Sequence, residues 1–217
     1  MKRYILFLFS LLTFFVTPAF ADVMPYYVNS ISPNSIGVYQ AANDIKIYSE
    51  PTENSKILVE ASWSQKGYSC PPISESNLFV VYLPKKNLAF LSVTDENDEG
   101  DWLEVLYCQN GMEKRGWVKL EDEFRFMNWR TFFNIYGRKY GLYYMKDAPE
   151  SAKFIYGSAV DEAKTIGKIT LPQIVKLTNV SGNWLLAIAV DYDKSQKIGW
   201  VKWRTISGEI YMFPNIK

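Results

Sequence analysis

The densest group of chemically competent side chains is an acidic run, in which Asp95, Glu96, Asp98, Glu99 and Asp101 place five carboxylates within seven positions. Clustered oxygen ligands are what Ca²⁺ requires, and a pair of carboxylates is what a glycoside hydrolase uses as acid and base. The run lacks the residue order and the distant glutamate of an EF-hand loop. We therefore expect a solvated turn here, and neither a metal nor a cofactor.

The chain of 217 residues contains no histidine. Ser-His-Asp and Cys-His catalysis, His-ligated zinc and a histidine general base are therefore excluded. With 24 Lys and Arg against 23 Asp and Glu, the chain also lacks the basic excess that nucleic-acid binding needs. A hydrolase of wall sugars that uses only carboxylates is the enzyme class left open, and we expect a protein that is not an enzyme.

The first 21 residues have the pattern of a secretory signal peptide. Lys2 and Arg3 precede an apolar run over residues 4–16, and the small-residue site Ala19-Phe20-Ala21 follows it. No later stretch has the roughly 18 consecutive apolar residues of a membrane span. We therefore predict a mature chain that begins at Asp22 and is periplasmic or secreted, with no membrane span.

The chain has two cysteines, Cys70 and Cys108. An even pair in an oxidising compartment favours a disulfide, and two unpaired, buried thiols are the alternative. A catalytic thiol is not expected because no histidine is present to activate it.

An internal repeat organises the mature chain. Gly100-Asp101-Trp102 is followed by Gly116-Trp117-Val118, and Gly182-Asn183-Trp184 is followed by Gly199-Trp200-Val201. The tryptophans are 15 residues apart in the first copy and 16 in the second. Each copy is predicted to be a β-hairpin, because the glycine turns open segments rich in β-forming residues and a polar loop separates them.

A second landmark lies upstream of each hairpin. The segment from Ile45 to Pro51 leads through a polar turn to Lys56-Ile57-Leu58. In the second half, the segment from Leu142 to Pro149 leads through a similar turn to Lys153-Phe154-Ile155. Both are predicted to be a strand, a proline-marked turn and a return strand.

This order of strand, proline-containing turn, return strand, Gly-Asp-Trp and Gly-Trp-Val resembles bacterial SH3-like domains. The resemblance implies an all-β chain of two small SH3-like barrels in tandem. The first would cover residues 22–123 with an insertion around 60–93, and the second residues 138–217. Residues 124–137, with aromatic side chains at helical spacing, are predicted to be a helical linker that packs against the barrels or meets a protein partner.

Aromatic side chains line the peptide grooves of SH3-like barrels. The resemblance therefore implies ligand-binding roles for six residues: Tyr48, Trp102, Trp117, Tyr144, Trp184 and Trp200. Alternatively, each tryptophan plugs the end of its barrel. The implied function is non-enzymatic binding of peptidoglycan peptides or another envelope component, with a scaffold role toward an envelope protein as the alternative.

Overall fold

A computed structural model describes residues 26–27, 31–41, 43–121, 126–145, 147–170, 174–190 and 193–216. The predicted signal peptide, residues 1–21, lies outside the described residues. Within the described ranges, helices are too short or too polar to cross a membrane.

The described chain is mostly β-structure in two curled antiparallel sheets, which confirms the all-β prediction. The first sheet contains β1 (Tyr26–Tyr27), β2 (Gly37–Gln40), β3 (Ile45–Tyr48), β4 (Ile57–Ser64), β5 (Gly67–Ser69), β6 (Val81–Leu83), β7 (Leu88–Glu96), β8 (Trp102–Gln109), β9 (Met112–Lys119) and β10 (Phe126–Asn128). The second contains β11 (Leu142–Tyr144), β12 (Phe154–Tyr156), β13 (Thr165–Lys168), β14 (Ile174–Ser181), β15 (Trp184–Val190), β16 (Gln196–Lys202) and β17 (Met212–Pro214). The helical segments are α1 (Glu75–Leu78), α2 (Trp129–Phe132), a π-helical stretch (Phe133–Gly137), α3 (Arg138–Tyr140) and two 3₁₀ turns (Pro84–Lys86 and Glu150–Lys153).

The two sheets, here called the first and second units, repeat one strand order and one register. Strands β2, β3, β4, β7, β8, β9 and β10 correspond in order to β11 through β17. In the hairpins, Trp102 lies opposite Lys119 and Trp184 lies opposite Lys202. The β3–β4 and β12–β13 pairs also share a register shift at the same point, directly before Tyr48 and Tyr156.

This register corrects the predicted alignment of the upstream landmarks. Tyr48 pairs with Ile57 across eight intervening residues, and Tyr156 pairs with Thr165 across eight. The segment that repeats β3 and its return strand is therefore 154–168, and the prediction that it begins at Leu142 is wrong. Pro149 leads into a 3₁₀ turn, which forms extra chain between β11 and β12.

The predicted insertion in the first unit contains additional secondary structure. Strand β5, helix α1, strand β6 and the turn Pro84–Lys86 all lie between β4 and β7. In the second unit only residues 169–173 separate β13 from β14. The added elements extend the first sheet, because β6 pairs with β7 and β5 pairs with β4.

The segment between the units is only partly helical as predicted. Residues 126–128 form β10, which pairs with β2, and the helical part runs from Trp129 to Tyr140. Asn128 starts the helix because its side-chain oxygen accepts a hydrogen bond from the Thr131 amide at 2.9 Å. Trp129 and Phe133 of the predicted aromatic stripe are buried in a core that both units share.

This shared core joins the two units through large side chains. Phe90 of the first unit contacts Phe132 of the linker, and Phe132 contacts Phe213 of the second unit, both with ring centroids 5.5 Å apart. Trp203, which has no exposed surface, packs on Trp129 at 5.2 Å. A separate cluster, which includes Ile47, Val59, Leu91, Leu103 and Val118, fills the first unit alone.

A buried arginine lies at the edge of the shared core. The Arg204 side chain is 8% exposed, and its guanidinium lies 4.8 Å from the Trp203 ring centroid. It donates to the side chain of Asn183 at 2.6 Å and to the backbone oxygens of Ser32 and Ser35 at 3.5 and 3.3 Å. Burial lowers the pKa of Arg204 from its ordinary value. The segment before β2 is thereby attached to the second unit.

Candidate functional site

The first unit brings together the three aromatic residues predicted from the sequence. Tyr48 lies opposite Trp117 in the β3–β9 pair, and its ring meets the Trp102 ring edge to face at 5.4 Å. Because directly paired residues project from the same face of a sheet, all three lie on the outer face of this unit. Trp102 is buried beneath this surface, whereas Tyr48 and Trp117 are half-buried and reach solvent.

An ion pair borders these aromatic rings. Lys119, opposite Trp102 on the outer face, donates to the carboxylate of Glu53 at 2.8 Å. Glu53 lies in the loop that joins β3 to β4, so the pair connects this loop to the hairpin. The hydrogen bond from Lys119 to Glu53 raises the pKa of Lys119.

A cavity of about 260 Å³ lies beside this pair. Its lining combines two tyrosines with carboxylates and ammonium groups, all from the first unit: Tyr39, Asp44, Ile45, Lys46, Tyr48, Glu53, Val118, Lys119 and Glu121. Trp102 and Trp117 do not line it, so only Tyr48 belongs both to the aromatic surface and to the cavity. The cavity therefore offers both signs of charge to a ligand beside a flat aromatic ring.

The acidic run begins in strand β7, with Asp95 and Glu96, and only its remainder forms the predicted turn to β8. The Asn97 side-chain oxygen accepts from the Asp101 and Trp102 amides at 3.1 and 2.9 Å, and its amide donates to Asp101 at 2.9 Å. Among the described residues there is no group of three or more Cys, Asp or Glu side chains placed to hold a metal ion. The turn positions Trp102 at the start of its strand.

The second unit repeats this arrangement with a tyrosine that sequence reasoning missed. Tyr156 lies opposite Trp200 and meets the Trp184 ring edge to face at 5.3 Å. Lys202 pairs with Asp161 and also lies 4.9 Å from the Trp184 ring centroid. These residues reproduce the positions of Tyr48, Trp102, Trp117, Lys119 and Glu53.

The predicted site residue Tyr144 lies apart from the other two in its unit. It belongs to β11, pairs with Met212 of β17 and packs against the shared core. Its hydroxyl is buried and makes no hydrogen bond among the described residues, and burial raises its pKa. The repeated Ile-Tyr sequence at 47–48 and 155–156 was the signal that identifies Tyr156 instead.

The predicted disulfide is absent from the structure, which has Cys70 and Cys108 as free thiols. Cys70 is 2% exposed and packs in the core of the first unit, where burial raises the pKa of its thiol to about 11. Cys108 is half-buried at the end of β8 and lines a surface cavity of about 170 Å³. Both residues are unpaired, as in the alternative interpretation, but only Cys70 is buried and serves as a small apolar side chain.

We expect the unfolded, unreduced protein to give two titratable thiols per chain in a thiol-reagent assay. In the native protein we expect Cys70 to react far more slowly than Cys108, because its thiol is buried and only the thiolate is nucleophilic. A Cys108→Ser variant serves as the control that isolates Cys70. If the unfolded protein had no titratable thiol, the disulfide prediction would be restored.

Each unit thus presents aromatic rings and a lysine–carboxylate pair on the outer face of a sheet, and the first unit adds a charged cavity. Aromatic rings and charged groups on an exposed face can contact a polar or charged ligand. Comparison with protein-family models, curated proteins and solved structures finds no match to this chain.

Proposed function

We propose that this chain is an exported, non-enzymatic pair of SH3-like binding modules, and that the first unit binds short peptides that carry both charges. Peptide stems of peptidoglycan are the ligand class that fits this chemistry in the cell envelope. The observation that carries the proposal is the cavity beside Tyr48, where carboxylates and lysines converge. The repeated strand order, with matching hairpin registers, supports the part of the proposal that concerns a pair of duplicated modules.

The charged residues that line the cavity can make two kinds of contact with a ligand. Asp44 and Glu121 supply carboxylates for an ammonium group of the ligand, and Lys46 and Lys119 supply ammonium groups for a ligand carboxylate. The Tyr48 ring offers a flat apolar surface that loses little rotamer freedom on binding. At about 260 Å³, the cavity is at the small end of the range for ligand pockets, so it suits the end of a short peptide.

The test is retention of the mature protein on purified peptidoglycan sacculi, together with calorimetric titration of a synthetic stem peptide. We expect Tyr48→Ala and Lys119→Gln each to weaken binding by about tenfold, which corresponds to about 1.4 kcal/mol. The second unit offers matched control variants, Tyr156→Ala and Lys202→Gln, which should leave stem-peptide affinity unchanged. Stem peptides with a blocked amino group or a blocked carboxylate should each bind more weakly than the free peptide.

Three results would count against the proposal. Absence of binding to sacculi and to the stem peptide would remove the ligand class. Equal losses in the first-unit and second-unit variants would remove the cavity as the site. A fall in the turbidity of a sacculus suspension with added protein would show a hydrolase and contradict the non-enzymatic assignment.

A further inference from the structure

The two units also differ in the side chains that surround their half-buried tryptophans, Trp117 and Trp200. In the first unit Trp117 lies opposite Glu104, which pairs with Arg115 at 3.1 Å and accepts from Thr94 at 2.5 Å. In the second unit the corresponding neighbours of Trp200 are Leu186 and Ile198. The backbone register is the same, so the fold itself does not require apolar residues at these positions.

The same change extends across the outer face of the second unit. Carboxylates at three strand positions of the first unit are replaced by uncharged or basic residues at the equivalent positions: Glu60 by Lys168, Glu104 by Leu186 and Glu113 by Gln196. Ile188 and Ile198 are directly paired, and Lys176 lies opposite Ile188 on its other side. Ile198 is 56% exposed, so this apolar surface is accessible to solvent.

The two halves of the chain also carry opposite net charges. Residues 31–128 contain 9 Lys and Arg against 15 Asp and Glu, for a net charge of −6. Residues 129–217 contain 13 against 7, for a net charge of +6. An exposed apolar surface on the basic half selects a ligand that is both apolar and acidic.

We propose that the outer face of the second unit, formed by Leu186, Ile188, Ile198 and Trp200, docks an extended acidic segment of another protein. The segment has apolar side chains at positions i and i+2 and carboxylates at positions i−2 and i+4, all on the same side of the extended chain. This inference rests on the proposed function in one respect, namely that the outer faces of the units are the binding faces. It assigns the second unit a different ligand chemistry from the first.

The geometry of the face fits an extended segment. Alternate residues of a strand point to the same side, about 7 Å apart, so apolar side chains at positions i and i+2 reach the row of Ile188, Ile198 and Trp200 together. Lys176 at one border, and Lys202, which also pairs with Asp161, at another supply ammonium groups to carboxylates at positions i−2 and i+4, which lie on the same side of the extended chain. The acidic run of a second copy, residues 95–101, lacks apolar side chains between its carboxylates, so it does not supply this pattern.

The probe for this site is a blocked seven-residue peptide with glutamate at positions 1 and 7, valine or leucine at positions 3 and 5, and serine at the even positions. Two matched peptides replace either the glutamates by lysine or the apolar residues by serine. We expect the first peptide to bind the full mature chain about tenfold more tightly than either matched peptide in a fluorescence anisotropy titration. We expect the double variant Leu186→Glu, Ile198→Arg to lose that binding by about tenfold.

The first unit supplies the controls. It carries Glu104 and Arg115 at the equivalent positions, so the double variant should fold, and the single variant Ile198→Ser at an exposed position gives a milder test of the same surface. The control variant Glu104→Leu, Arg115→Ile should leave binding of the acidic apolar peptide unchanged. Stem-peptide binding is measured on the same proteins, so failure of the first-unit proposal is distinguished from failure here.

Several outcomes would overturn the proposal. The serine peptide binding as tightly as the apolar one would show a general site for polyanions. Loss of binding in the first-unit control but not in the second-unit variants would place the site elsewhere. Absence of binding by all three peptides, or concentration-dependent self-association that Ile198→Ser abolishes, would remove the acidic segment as the ligand.

Discussion

Replacing Trp203 with alanine is expected to lower the free energy of unfolding by about 3–5 kcal/mol. The indole has no exposed surface, and it packs on Phe133 at 4.8 Å and on Trp129 at 5.2 Å. Its Nε1 donates to the Gly182 oxygen at 2.9 Å. The substitution therefore opens a cavity in the shared core and also removes the nearer of the two rings that the guanidinium of Arg204 contacts, the other being Trp129.

Urea unfolding, followed by far-ultraviolet circular dichroism and by tryptophan fluorescence, measures this effect. We expect both signals to shift to lower urea together, because the shared core stabilises the two units jointly. Ile206→Ala is the matched control three residues away, since Ile206 is 83% exposed and its truncation should change stability by less than about 0.5 kcal/mol. A small loss in the Trp203→Ala variant, or two separate transitions in the wild type, would contradict a shared core.

The second large effect is expected at Gly116 and Gly199, which occupy equivalent positions in the two units. A Cβ atom at Gly116 would lie 2.4 Å from Cγ2 of Ile47 and 2.8 Å from the backbone oxygen of Tyr48. At Gly199 the distances to Cγ2 of Ile155 and the oxygen of Tyr156 are also 2.4 and 2.8 Å. Alanine at either position must displace a strand backbone, so we expect each variant to lose about 1–3 kcal/mol.

Gly157→Ala is the control for these variants, because its nearest neighbour would be Ile166 at 3.7 Å, an ordinary contact. We expect this substitution to leave stability unchanged or to raise it by up to about 1 kcal/mol through the unfolded chain. Urea unfolding gives the stabilities, and the ring resonances of Tyr48 and Tyr156 report which strand has moved. Wild-type stability in both Gly116→Ala and Gly199→Ala would show that the strands are not as close as described.

The hairpins and their duplication could be predicted from the sequence because glycine followed by tryptophan is a local signal. Strand β9 lies so close to β3, and β16 to β12, that a glycine is required at Gly116 and at Gly199. The Gly-Trp pattern therefore reflects the same steric requirement in both units. The position of Tyr156 could not be predicted from the proline turns, because Pro149 marks added chain and not the repeat. The useful signal was an Ile-Tyr sequence with a lysine eight residues later, at Lys56 and at Lys164.

The shared core lay beyond local sequence reasoning. Arg204 follows a strand with the sequence of a surface hairpin, and nothing in that stretch marks its guanidinium as buried. Phe126, which falls within the predicted helical linker 124–137, lies in β10 because β2 offers a pairing edge that only the folded sheet provides. Both features depend on contacts between residues far apart in the chain, for which a local pattern carries no information.

Residues 31–35 contact the loop around Gly208, so this part of the fold cannot form until both segments have been synthesised. Ile31 donates its amide to the Gly208 oxygen at 2.8 Å, and Ser32 accepts from Arg204, 172 residues later in the chain. This segment is synthesised well before its partners, because Arg204 follows Ser32 by 172 residues. A fragment that ends before Trp203 would leave Trp129 and Phe133 without that ring contact, so we expect the two units to reach full stability only once the loop around Gly208 has been synthesised.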